Sequence, residues 1–469
     1  GMHTEEFSSL MKYRIIEILL VASHYDAFIL EEDGQLTELV IEEYRNLDLN
    51  LRFAPRFTRA ASAEEALQLI RDGDYDMVIT TPRLPDKEIG DFVHEIKQQK
   101  ADLPIGLIAA HAWELPWLED VRSSGDLDWT FLWQGNVQAL LAMIKQVEDR
   151  RNAEHDILVG GVQAIILVED QTRFFSVYLP HFYTEITTQT GLLMAEGINL
   201  SHRLLRIRAR PKILLAQTYE EAWELYERYA GNILGIVTDV SFPRNGELDH
   251  EAGIDLIRAI RDLDDELPIL VQSMDNEHRE KADAVGAHFM SKNSPQLLED
   301  LREYILENFG FGDFAFKMAD GSEVARASGM RSLLQVLAEV PEESLVYHAN
   351  RNHFSAWLKA RTEFELASMI RPRKVSEFAS PSELRSFLIA AITSYLRGIQ
   401  LHVITDFDNE RFSDFTAFSK IGSGSLGGKG RGLAFMHKLL AREVLDTEQV
   451  EVSIPQTVVL ASDVFDDFL

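Results

Sequence analysis

The side chains best placed to do chemistry together are acids, a hydroxyl and a lysine at the ends of short apolar runs. Glu169 and Asp170 close "AIILVED", Asp239 closes "ILGIVTD", Ser273 closes "ILVQS", and Lys292 follows "HFMS". Phosphorylating a carboxylate needs such a set. The nucleophile must stand at an exposed strand end, beside a divalent cation that offsets the incoming phosphoryl charge. Hard Mg2+ takes oxygen ligands, so further carboxylates should come from a neighbouring strand. A hydroxyl and an ammonium should then meet the phosphoryl oxygens. Phe289, just before Lys292, is an aromatic able to change rotamer when Ser273 engages a phosphate.

Only a parallel sheet brings these positions to one edge. β-Branched runs alternate with segments of helical spacing such as "TYEEAWELYERY", which implies βαβ units with helices on both faces. Ligands in such sheets sit beyond the carboxyl ends of the strands, where Asp239 falls. The same order of runs occurs earlier in the chain, from "IEILLVA" through "YDMVITT" and "LPIGLIAA" to "TFLWQGN". There Ala22 and Ser23 replace the acid pair, Thr81 the acceptor, Ala109 the serine and Gln134 the lysine, while Asp26 lies too far along to restore a metal site. The chain is therefore a duplication with one erased copy.

The second copy resembles a two-component response-regulator receiver domain, on the strength of its acid pair and of "DVSFP", an aspartate followed by proline four positions later. The resemblance implies that Asp239 accepts the phosphoryl group and that Glu169, Asp170, Asp239 and the Ser241 carbonyl hold Mg2+. It also implies that Ser273 and Lys292 contact the phosphoryl group, with Phe289 as the switch aromatic. Asn293 and Ser294 separate Lys292 from Pro295, where the family usually has proline directly after the lysine. The first copy looks like a pseudo-receiver.

The second copy carries a long helical insertion, expected to be interrupted near Pro180. Its basic end "RLLRIRAR" has two readings, an interaction surface and, favoured of the two, a solvated helix terminus. From about Gly321 the strand signal fades and helical periodicity takes over. His348 and His353 lie five residues apart there, a spacing that does not align both rings on one helix face, so a structural or capping role is expected over a metal or phosphohistidine one.

The chain ends with "GSGSLGGKGRGLAFM" and "SIPQTVVLASDVFDDFL". A glycine-rich turn before a helix lets backbone N–H groups approach phosphate, but no Ser or Thr follows Lys429, so this is not a Walker A loop. The segment resembles the start of the nucleotide-binding domain of phosphoenolpyruvate synthases and pyruvate phosphate dikinases. That resemblance implies ATP contacts from Lys429 and from the backbone of Gly427, Gly428 and Gly430. Gln456 and Thr457 depart from that family's usual Pro-Gly.

Composition bounds the rest. The 469 residues carry a formal charge of −30, which argues against a nucleic-acid surface. With no cysteine there is no disulfide framework and no thiolate metal site. No apolar run suggests a membrane span, the N-terminus lacks a signal-peptide core, and a cytoplasmic location is expected.

The expected class is α/β. A flavodoxin-like pseudo-receiver (1–152) and receiver (153–316) precede a helical module (317–400) and the beginning of an ATP-grasp-like domain (401–469). The expected role is a regulator phosphorylated by a histidine kinase or a small phosphodonor. It would control downstream catalytic domains of a longer chain, with a homodimer as a further expectation. Two rival readings are a receiver-fold scaffold that is never phosphorylated, and a fragment that itself uses ATP.

Overall fold

The computed structural model describes residues 9–31, 36–46, 54–133, 135, 137–193, 207–371, 377–400, 405–406, 418–422, 425–442 and 457–466. They fall into two compact units. One comprises Glu6–Gly191 with Ile207–Phe309, and the other includes Gly310–Leu469.

The first unit contains two five-stranded parallel sheets. Strands β1 (Glu17–Val21), β2 (Arg56–Ala60), β3 (Met77–Thr80), β4 (Ile105–Ala109) and β5 (Trp129–Leu132) lie in the order β2-β1-β3-β4-β5. Strands β6 (Ala164–Val168), β7 (Lys212–Ala216), β8 (Ile233–Asp239), β11 (Ile269–Ser273) and β12 (His288–Ser291) repeat it as β7-β6-β8-β11-β12. Both are the doubly wound 2-1-3-4-5 arrangement of flavodoxin-like folds, in which ligands bind at the switch point between the first and third strands. Most of these strands are buried along their whole length, as a sheet with both faces covered requires.

Between β8 and β11 a small antiparallel hairpin is inserted, β9 (Phe242–Arg244) with β10 (Glu247–Asp249). Its turn residues Asn245 and Gly246 both have positive φ, 53° and 81°, the geometry that favours Asn-Gly in two-residue hairpin loops.

The two sheets share a layer. The helix Gln138–Ala153 is buried on all sides from Ala139 to Asp149. Met143 packs against Gly106 of the first sheet, and Asp149 reaches the second. Asp149 takes a bidentate pair from Arg210 at 2.9 Å on each oxygen, and also accepts from the Ile213 amide at 3.0 Å and the Tyr183 hydroxyl at 3.1 Å. Lys212 pairs with Asp156 at 2.8 Å, both fully buried. Such charges are tolerated inside a protein only when matched and hydrogen-bonded, as here. Arg210 is thus no solvated helix end. The rest of the basic stretch, residues 203–206, lies outside the described residues except for Ile207 to Ala209, which form a short 3-10 turn.

The insertion begins as one continuous helix, Thr172–Leu193, with Pro180 inside it, so the expected interruption does not occur. Proline forfeits one backbone hydrogen bond. Burial of Phe175, Tyr178, Leu179, Phe182, Tyr183 and Ile186 along the helix outweighs that loss. Ser176 of this helix accepts from the Leu132 amide at 2.9 Å, and Phe175 meets Phe131 edge-on, so the helix also packs on the first fold.

In the other unit a hairpin, Phe314–Lys317 with Glu323–Ala327, shares a core with helices Met330–Glu339, Glu342–Asn350, His353–Ala360, Phe364–Ile370 and Pro381–Gln400. Helical periodicity does not reveal this hairpin. His348 and His353 belong to two different helices, separated by Asn352 at φ 56°. Their Nδ1 atoms consequently meet at 2.9 Å, although a single helix would have kept the rings apart. His348 Nε2 accepts from the Lys317 amide at 2.7 Å, a structural role.

The C-terminal segment forms a three-stranded parallel sheet, Thr405–Asp406, Phe418–Ile421 and Thr457–Leu460, beside the helix Gly428–Arg442. Among the described residues no helix is long and apolar enough to cross a membrane.

Candidate functional site

The carboxyl end of β6 carries Glu169 and Asp170, and β8 ends on Asp239 beside it. One carboxylate oxygen from each lies within 4.8 Å of the others, and among the described residues this is the one acidic or histidine group so gathered. Glu169 is almost fully buried and Asp239 is 7% exposed. Burial pushes the Glu169 carboxyl up to about 8, against the pull of Lys292. Burial and the neighbouring Asp239 charge raise Asp170 as well.

Lys292 follows β12, and its backbone is tied to β11 by its amide, which donates to the Ser273 carbonyl at 2.8 Å. The ammonium stands 2.6 Å from Glu169 and 2.7 Å from Asp239, and 4.1 Å from the centre of the Phe174 ring. Three carboxyl groups face one ammonium here. Asp170 Oδ1 is buried without a hydrogen-bond partner among the described residues. An oxygen-rich, electron-rich cluster with an unsatisfied buried oxygen fits a hard divalent cation such as Mg2+.

Asp239 is held at its backbone and its side chain. Its Oδ1 accepts from the Val240 amide at 2.6 Å. The following helix, Ala252–Arg261, starts directly against it, with the Gly253 amide donating to the Val240 carbonyl at 2.9 Å. Ser241 is half-exposed, and its hydroxyl donates to the His250 carbonyl at 3.4 Å.

Ser273 ends β11, and its Oγ is 2.8 Å from Nδ1 of His278. Phe289 lies in β12, half-buried at the margin of the core, with the Arg279 guanidinium 4.7 Å over its ring.

The sheet therefore gathers Glu169, Asp170, Asp239 and Lys292 at one edge, with Ser273 on the adjoining strand. Phe174, Tyr178 and His278 were not anticipated. Phe174 and Tyr178 stack, one turn apart, on the helix that follows the acid pair. Burial and the charges of Glu169 and Asp239 hold the Tyr178 phenol well above its ordinary range. Their signal in the sequence is the i, i+4 aromatic pair just after "ED".

The corresponding edge of the first sheet is closed by hydrogen bonds. Asp26 Oδ2 accepts from the Ser23 hydroxyl at 2.9 Å and from the Thr81 hydroxyl at 3.2 Å. Ala109 ends β4 with no polar side chain, and Gln134 lies outside the described residues.

In the other unit, Gly428, Lys429 and Gly430 form the first turn of the helix Gly428–Arg442. Gly427, Gly428 and Lys429 are exposed, while Gly430 is buried against Val459. Arg431, in the same first turn, donates to the Ser425 hydroxyl at 2.5 Å.

No family model matches the sequence, and no curated protein matches it. Solved structures do resemble parts of it. The response regulator TrrA of Thermotoga maritima, in complex with Mg(2+)-BeF, is 24% identical over 28% of this chain and 99% of its own, with a TM-score of 0.22. A CheY-like receiver domain protein of Methanospirillum hungatei is 16% identical over 30% of this chain and 98% of its own, with a TM-score of 0.23. A structure described as a probable two-component system response regulator/GGDEF domain protein covers 63% of this chain and 99% of its own at 16% identity, with a TM-score of 0.28. Both parallel sheets of this chain have the 2-1-3-4-5 order of the flavodoxin-like α/β fold.

Proposed function

We propose that this chain is a response regulator whose second receiver is phosphorylated on Asp239 with Mg2+. The observation that carries the reading is the convergence of Glu169, Asp170 and Asp239 within 4.8 Å, with Lys292 in contact, at the switch point of a 2-1-3-4-5 sheet.

Glu169, Asp170, Asp239 and the Ser241 carbonyl would hold the cation, which when bound offsets the charge of the incoming phosphoryl group. One Asp239 oxygen attacks the phosphorus of the donor, a histidine kinase phosphohistidine or a small acyl phosphate. With acetyl phosphate the bond between phosphorus and the acetyl oxygen breaks, and acetate leaves with the electron pair. The Lys292 ammonium, already beside Asp239, then turns to a phosphoryl oxygen, and the Ser273 hydroxyl donates to another. Phe289 follows Ser273 by rotamer change.

The controlled activity, in this reading, is an attached phosphotransferase like phosphoenolpyruvate synthase or pyruvate phosphate dikinase, with Lys429 and Gly427, Gly428 and Gly430 at its ATP phosphates. Its support is the glycine-rich helix start and the sequence resemblance. The first fold contributes packing, since its own pocket is closed by Asp26, Ser23 and Thr81.

Incubation with acetyl phosphate and Mg2+, read by intact mass, tests the acceptor. One added phosphoryl group on the wild type and none on Asp239→Asn is expected. No adduct on either, under conditions that label a known receiver, would favour the scaffold reading.

A further inference from the structure

Ser273 has one hydroxyl proton to donate, and its Oγ has two close partners. Its Oγ accepts from the Asp275 amide at 3.1 Å and lies 2.8 Å from Nδ1 of His278. With the ring neutral and its own proton on Nε2, Nδ1 accepts the serine proton. His278 is the first residue of the helix His278–Ala284 and is half-exposed.

A phosphoryl group on Asp239 would need that same proton, because a phosphoryl oxygen only accepts. The two bonds exclude each other. We propose that His278 is a positioning residue that holds Ser273 away from the phosphoryl group and thereby sets how readily the phosphorylated state forms. This inference rests on the proposed acceptor role of Asp239. Engaging Ser273 with a phosphoryl oxygen costs the serine–histidine bond, and removing the acceptor removes that cost.

The test uses the full chain with Mg2+ and beryllofluoride, a stand-in for the phosphoryl group, titrated by calorimetry. His278→Ala is expected to bind about two- to tenfold more tightly than wild type, the range a single hydrogen bond supplies. His278→Asn, whose amide oxygen can sit near the Nδ1 position, is expected to return the affinity to that of wild type. In a Ser273→Ala background the His278→Ala substitution should change nothing.

Equal or weaker binding by His278→Ala, or an effect that persists without the Ser273 hydroxyl, overturns the proposal while leaving Asp239 as acceptor. If the wild type neither binds beryllofluoride nor takes a phosphoryl group from acetyl phosphate, the acceptor reading falls and this inference falls with it. His278→Asn also guards against misfolding, since it keeps a polar acceptor at the site.

Discussion

A Cβ on Gly253 would lie 2.1 Å from the carbonyl oxygen of Asp239. The helix after the hairpin can start against the acceptor strand only because that residue has no side chain. The neighbouring atoms are backbone, at Asp239 and Val240, and cannot swing aside. Gly253→Ala should therefore push the helix off the strand end, costing about 1–3 kcal/mol of stability. Acetyl phosphate labelling of Asp239 should slow in parallel. Unchanged labelling and melting would show that the strand end gives way more easily than this packing implies.

Among the three clustered acids, Asp170 has a buried oxygen without a hydrogen-bond partner among the described residues. Asp170→Asn keeps the shape and removes one negative charge from the proposed cation site. Mg2+ affinity, followed by calorimetry, should fall by about tenfold or more. The fold should survive, since no hydrogen bond to that oxygen is lost.

Asp149 tests the shared layer between the two sheets. Asp149→Ala would leave the Arg210 guanidinium buried without a counter-charge, together with the Ile213 amide and Tyr183 hydroxyl. A loss of about 3–5 kcal/mol is expected in denaturant unfolding. A change confined to a few tenths would mean that water reaches Arg210.

His348 predicts a pH effect in the other unit. Burial and the nearby His353, Lys317 and Arg351 lower its pKa to about 3. The folded ring thus stays neutral below 6.5, while the unfolded ring takes a proton there. The neutral ring's contribution is complete above pH 6.5 and declines as pH falls toward about 3, by up to about 1.4 kcal/mol per unit. His348→Asn should show a shallower loss of stability than wild type between pH 6.5 and 4, once the carboxylate titrations common to both are subtracted.

The acid-bearing strand ends were legible because Glu169, Asp170, Asp239 and Ser273 end apolar runs, and strand ends of one parallel sheet converge. The layout of the two sheets follows from the same runs. Other features depend on partners distant in sequence. Arg210 reads as surface until Asp149, 61 residues away, is seen to face it. Pro180 reads as a break because local propensity cannot count the aromatic side chains its helix buries. The two histidines look misaligned only if one helix is assumed, and the left-handed Asn352 divides it. The Asn245-Gly246 turn was within reach of turn chemistry but is invisible to helical and strand periodicity. His278 escapes because a loop path, rather than a spacing, brings it to Ser273.

The buried helix between the sheets also fixes what can be cut out of this chain. A boundary at residue 152 would strip Arg210 of Asp149, and a fold begun at residue 153 would expose that guanidinium without its bidentate partner, although Lys212 would keep Asp156. The smallest transferable module is the pair. The first fold, whose strand ends lack the acid cluster, is then half of one packed part, and grafting the acid-bearing fold onto another protein would require carrying the first along.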